Sequence, residues 1–75
     1  MNDSHSKEIG QFLIFCLEEY KAAESLSGES AFGLFEKNGV FDYLREGYDQ
    51  LHTLGSAALV EDIRDYLGRR HATAK

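Results

Sequence analysis

The sequence predicts an all-α fold, a compact bundle of four short helices with the first at its centre. Three observations carry this expectation. Apolar residues recur at three- and four-residue spacing in four successive segments, the period of a helix with one face on a core. The chain has no Pro, and Gly, Ser and Asn fall between the segments, where helices need to end. Neither alternating hydrophobicity nor hairpin turn chemistry makes a case for strands.

The first helix is expected from about Lys7 to Glu24, around the most apolar run of the chain, Glu8 to Lys21. Ser4 or Ser6 would cap it, with Glu8 favourable in the first turn. At 100° per residue, Ile9, Phe12, Leu13, Cys16, Tyr20 and Ala23 fall on one arc, the stripe that faces a core. Ile14, Phe15 and Leu17 fall outside it. Ile14 points nearly away from the stripe, and Phe15 sits among Glu8, Gln11, Glu18 and Glu19. A helix that is apolar on more than one side is either central in its own domain or shared with a partner.

Ser25-Leu26-Ser27-Gly28 ends that helix, and Ser27 is suited to cap a second, from about Gly28 to Asn38. Ser30 stands where a capping box needs Glu or Gln, so the box is incomplete. Ala31, Leu34 and Phe35 form the stripe, with Phe32 beside them, and Gly39 suits the left-handed position after the helix. A third helix is expected from Val40 or Phe41 to Thr53. Its stripe is Val40, Leu44, Gly47, Tyr48 and Leu51, with Asp42, Glu46, Asp49 and Thr53 opposite. Gly47 inside it costs about 1 kcal/mol relative to Ala, which points to close approach of another helix. Ser56 would cap the fourth helix, Ala57 to Arg69. Leu59, Val60, Ile63, Tyr66 and Leu67 face the core there, and Glu61, Asp62, Arg64 and Asp65 face water.

Seventy-five residues make one domain. Residues 7–69 are read as that domain, 1–6 as a disordered N-terminal tail and 70–75 as a C-terminal tail. A chain of this size buries only about 60% of its unfolded surface. Cys16 is the sole cysteine, so no disulfide compensates. It lies on the core arc among apolar and acidic neighbours, whereas a reactive thiol needs an exposed electropositive setting. Lone-cysteine usage fits a reducing cytoplasm. Met1 to Ser6 is polar and not basic, unlike a signal peptide, and the apolar run is too short to span a bilayer. The expected location is therefore cytoplasmic, with no membrane association.

The net charge of −5 argues against nonspecific nucleic-acid binding, which needs clustered Lys and Arg. The second and third helices have the order of a helix-turn-helix, but the would-be recognition helix carries Asp42, Glu46 and Asp49 against Arg45. Arg69, Arg70 and Lys75 are the one basic cluster and read as favourable charge at a helix end. Asp49 and His52 form one i,i+3 pair with no second histidine close in sequence. A solvated acidic face is the simpler reading, so neither a metal, a cofactor nor a catalytic residue is expected. His52 lies at the edge of its stripe near Tyr48 and Phe41, as a boundary histidine or a contact residue. Five Phe and four Tyr are many for so short a chain to bury, and Tyr is enriched at interfaces.

Five segments carry a resemblance. They are Phe12-Leu13-Ile14-Phe15-Cys16-Leu17-Glu18-Glu19-Tyr20-Lys21, Leu26-Ser27-Gly28, Leu34-Phe35-Glu36-Lys37-Asn38-Gly39-Val40-Phe41-Asp42-Tyr43-Leu44, Leu51-His52-Thr53-Leu54-Gly55 and Val60-Glu61-Asp62-Ile63. In this order they resemble a small bacterial all-helical family of unknown function, over nearly the whole chain. Genes of that family often lie beside one for a protein resembling ADP-ribosyltransferases, an arrangement like that of a toxin–antitoxin pair. The resemblance implies a non-enzymatic protein-binding role, with the small helical protein as the neutralising member. It supplies no functional residues. Gly47 departs from it where a larger residue is expected, and Ala57-Ala58 where bulkier ones are usual.

The expected function is a binding module that occludes an ADP-ribosyltransferase-like partner. Ile14 and Phe15 are its expected anchors, with Tyr48 and His52 beside them, and the acidic surface would meet a basic nucleotide-binding cleft. The alternative is a homo-oligomeric structural or interaction protein, in which a second copy covers the same face of the first helix.

Overall fold

A computed structural model describes residues 3–73. Among these there are five helices and no strand. They are α1 (Asp3–Glu24), α2 (Gly28–Lys37), α3 (Val40–Glu46), α4 (Tyr48–Leu51) and α5 (Ser56–Thr73). The fold is the expected all-α bundle, and α1 is central, packing on α2, α3 and α5. The four expected helices become five because the third divides at Gly47.

The core is built from the stripes. Phe12, Cys16 and Tyr20 of α1 meet Phe35 of α2, Val40 and Leu44 of α3, Leu51 of α4, and Leu59, Val60, Ile63 and Leu67 of α5. Phe35 and Leu44 are fully enclosed, and burying such a side chain stabilises the fold by about 1.5–3 kcal/mol. The Tyr20 and Phe35 rings lie 5.5 Å apart and those of Phe35 and Phe41 5.4 Å apart, which fixes α2 between α1 and α3. Leu17, placed outside the stripe by its angle, packs on the core from its edge. Ala23, placed on the stripe, is exposed. At the end of α1 the core side has already passed to Tyr20 and Leu26, and Ala23 faces α5 across a groove.

Helix ends explain most boundaries. α1 begins at Asp3, upstream of Ser4 and Ser6, so neither stands at its cap. Of the expected tails, residues 1–2 and 74–75 lie outside the described residues, and the backbone is helical from 3 to 6 and from 70 to 73. α1 stops with the Leu26 N–H donating to the Lys21 carbonyl (3.0 Å) and the Ser25 N–H to that of Ala22 (3.4 Å). This is a Schellman closure, and it holds Ser25 at φ 56°. Ser27 caps α2 as expected, its Oγ accepting from the Ser30 N–H at 3.1 Å. Gly39 takes the left-handed conformation at φ 70°. At the start of α5 the Gly55 carbonyl accepts from the Leu59 N–H (3.0 Å), so the helix starts one residue earlier than expected and includes Ser56.

Gly47 breaks the expected third helix for a local reason. Its N–H donates to the Tyr43 carbonyl (3.0 Å) and closes α3, while its own carbonyl accepts from Leu51 N–H (2.8 Å) and opens α4. Its φ of −94° and ψ of 11° lie in the bridge region rather than the helical one. A Cβ here would stand 2.9 Å from Leu51 Cδ1 and 3.3 Å from the Tyr43 carbonyl oxygen. The close approach is thus made by Leu51 of the short α4 that follows and by the last turn of α3, not by a helix distant in the chain.

Candidate functional site

The outer side of α1 carries the largest apolar exposure. Ile14 is 62% and Phe15 43% exposed, as their angles outside the core stripe require. Phe15 is flanked within about 60° on the helix by Glu8, Glu18 and Glu19. Glu18 is paired with Lys21 at 3.0 Å, and Glu19 has no ion-pair partner among the described residues.

Tyr48 and His52 form a second group, on α4 and just beyond it. Their rings stack with centroids 4.5 Å apart and planes 13° apart. His52 Nδ1 donates to the Tyr48 carbonyl at 2.7 Å, so the imidazole closes the short helix and is not directed at Asp49. Phe41 does not join this group. It packs instead on Phe35 and Phe32. The break at Gly47 turns α4 so that the Tyr48 ring meets the Phe12 ring edge-on, at 5.3 Å. Phe12 precedes Phe15 by one helical turn. Phe12 is itself buried, so the α4 pair packs on the core side of α1, whereas Ile14 and Phe15 lie outside it.

Starting at Glu19, one helical turn beyond Phe15, α1 and α5 leave an open groove of about 480 Å³. Ala22 and Ala23 line it from α1, Ser56, Ala57 and Val60 from α5, with Glu19, Glu61 and Arg64 at its rim. Arg64 is held by two carboxylates, Glu24 (Nε to Oε2, 2.7 Å) and Glu61 (3.0 Å). The like-charged Glu61 and Asp65 are thus each answered, Asp65 by Arg69 at 3.3 Å. The sequence does not show the groove, because its walls come from helices far apart in the chain.

Two further features were not singled out from the sequence. Phe32 is 48% exposed at the corner of α2 and α3, its ring 5.3 Å from that of Phe41. Its position beside the α2 stripe was the available signal. Asp62, expected in water, is half-buried and accepts the Tyr43 hydroxyl, and Tyr43 stacks on Tyr66 at 4.1 Å. Burial, and then this bond, push the Tyr43 hydroxyl up to about 12.

Cys16 is fully enclosed. Burial, with a smaller push from Glu19, raises its thiol to about 12, the opposite of what a nucleophilic thiolate requires. Among the described residues no three His, Cys, Asp or Glu side chains gather as a metal site, and no helix is long and apolar enough to cross a membrane. What this surface shows is exposed apolar and aromatic side chains, Ile14 and Phe15, beside carboxylates.

Residues 11–70 match a protein family described as "Protein of unknown function (DUF3791)". No curated protein and no solved structure matches the chain.

Proposed function

The chain belongs to this family of unknown function, and from that premise we propose that it is a non-enzymatic protein-binding module, the antitoxin-like partner that covers and neutralises an ADP-ribosyltransferase-like protein. The observation that carries the binding role is the exposure of Ile14 and Phe15 on a helix whose other side is core. Exposed aromatic residues on a rigid element make effective anchors, since little side-chain freedom is lost on contact. Tyr48 and His52 are the further contact residues of this reading, and the negative charge of the chain favours fast encounter with a basic cleft. The nature of the partner rests on the resemblance to proteins encoded beside such transferases, both acting in the cytoplasm. The reading has no catalytic residue, because Cys16 is enclosed and His52 is engaged with the Tyr48 carbonyl.

The test is co-expression with an ADP-ribosyltransferase-like protein of the kind the resemblance implies as a gene neighbour. The expected result is a stoichiometric complex and loss of the partner's ADP-ribosylation activity, both abolished by Phe15→Asp with the helical CD signal intact. Free transferase activity at saturating amounts of the chain sinks the neutralising role. Melting of the chain alone that rises with concentration moves the assignment to a homo-oligomer.

A further inference from the structure

The binding role leaves open what kind of surface the α1 side receives, and resting on that role we infer that the groove between α1 and α5, continued along α1 by Phe15 one turn before it, is the seat of a cationic amphipathic helix of the partner and rejects a second copy of this chain. Three features of the site fit that occupant. The first is shape. Ala22, Ala23, Ser56 and Ala57 are all exposed and extend no farther than one heavy atom beyond Cα or two for Ser56, so a helix backbone can approach closely. Two helices with a shallow trough between them present the groove that a third helix fills. Ser56 to Arg64 spans about 12 Å at 1.5 Å per residue, or two turns of an occupant.

The second feature is apolar continuity. Phe15 lies four residues before Glu19 and seven before Ala22, on the same side of α1. It therefore extends the α1 wall by one turn and gives the occupant an aromatic contact where the small residues give none. Val60 supplies the apolar floor from α5.

The third feature is charge, and it chooses among occupants. Glu8, Glu18 and Glu19 surround Phe15, and Glu61 borders the groove on α5. Of the nearby cations Lys21 is engaged by Glu18 at 3.0 Å and Arg64 by Glu24 and Glu61, and Lys7 stands beside Glu8, so the carboxylates Glu8, Glu18, Glu19, Glu24 and Glu61 outnumber the cations. The rim is left net negative. A second copy docked through its own Phe15 side would set carboxylates against carboxylates, whereas Lys or Arg flanking an apolar helical stripe would complement them.

The experiment uses the full chain, labelled with nitrogen-15, and two synthetic peptides of about 18 residues. One is a Leu/Ala/Lys amphipathic helix and the other its Glu-for-Lys counterpart. The Lys peptide is expected to shift the amides of Phe15, Ala22 and Ala57. Its affinity should fall about tenfold or more between about 50 and about 300 mM salt, as screening shortens the reach of the rim charges. Ala57→Leu fills the groove from an exposed position with a good helix former and should weaken binding about tenfold or more. Ala22→Leu does the same from the other wall should the first variant fail to fold. The Glu peptide should leave the spectrum unchanged. Equal response to both peptides, shifts confined to Phe32 and Phe41, or full affinity in the folded Leu variant overturns the inference. So does a dimer of the chain alone whose interface maps to this groove. Because neither peptide is a transferase, the two readings fail separately. Peptide binding here without neutralisation leaves the seat standing, and neutralisation without peptide binding leaves only the binding role.

Discussion

Replacing Gly47 with Ala sets two effects of opposite sign against each other, and the structure decides between them. Helix propensity alone favours Ala by up to about 1 kcal/mol. The new Cβ, however, would stand 2.9 Å from Leu51 Cδ1, 3.4 Å from its Cγ and 3.3 Å from the Tyr43 carbonyl oxygen. Carbon atoms rest about 3.5–4.0 Å apart, so Leu51 must retreat by more than about half an ångström. Leu51 is 8% exposed and belongs to the core, so it has little room to do so. Forcing a core side chain off its rotamer costs about 0.5–1.5 kcal/mol, and overpacking costs about 1–3 kcal/mol. The full propensity gain is not realised either, because residue 47 sits at the break between α3 and α4. The expected net effect is a loss of about 1 kcal/mol, which lowers Tm by about 4–8 °C in a domain of this size. Thermal melts followed by far-UV CD measure it, with the urea midpoint falling at unchanged slope. The same substitution on a Leu51→Ala background removes the clash and should be neutral or stabilising, a coupling of about 1–2 kcal/mol. A rise in Tm for Gly47→Ala in the wild-type background, or the same loss with Leu51 already truncated, would refute the reasoning.

Other consequences are equally direct. Ser25→Gly relieves a left-handed residue at the Schellman closure and should stabilise the fold by about 0.5–1 kcal/mol, seen as a higher urea midpoint. Cys16 should resist a thiol reagent such as Ellman's in the native state and react at the rate of unfolding, since it is enclosed and its thiol is held up near 12. Stability should fall at alkaline pH. The thiol of Cys16 is raised from 9.0 and the hydroxyl of Tyr43 from 10.0, both to about 12. An acid whose folded value exceeds its unfolded one stabilises below the unfolded value and loses that contribution as pH climbs to the folded value. Urea midpoints should therefore hold up to about pH 9 and decline towards pH 12, and Tyr43→Phe should flatten the part of the decline above pH 10. A midpoint independent of pH across this window would contradict the burial assigned to both groups.

Much of this was legible in the chain. The spacing of Phe12, Cys16 and Tyr20 gave the inner face of α1, and the same arithmetic put Ile14 and Phe15 outside it, where the structure leaves them exposed. Ser27 and Gly39 announced their roles because a cap and a positive φ are local requirements that few residues meet. The misses have physical causes. Gly47 was read as a cost to be repaid by a neighbouring helix, and periodicity alone cannot tell a glycine that admits another helix from one that breaks its own. Asp62 was placed in water because its angle on α5 says nothing of a Tyr43 hydroxyl arriving from α3. Ala23 followed the stripe by angle, but near the end of α1 that side faces the open groove towards α5. The groove itself joins residues more than thirty positions apart, a relation that no local pattern encodes. Phe32 stayed unassigned because a residue at the stripe's edge is buried or exposed according to what lies beside its helix.

The central claim is that the Phe15 side of α1 is a protein-binding surface, and the most direct test is calorimetric titration of the proposed partner, an ADP-ribosyltransferase-like protein, with three forms of the chain. Wild type is expected to bind one to one. Phe15→Asp, at a residue already 43% exposed, should keep its fold and lose at least about a hundredfold in affinity, the scale of an interface hot spot. Phe32→Asp, on the corner of α2 and α3, should bind like wild type. Equal affinity for wild type and Phe15→Asp, or a loss confined to Phe32→Asp, would contradict the account and move the binding surface to the other side of the bundle.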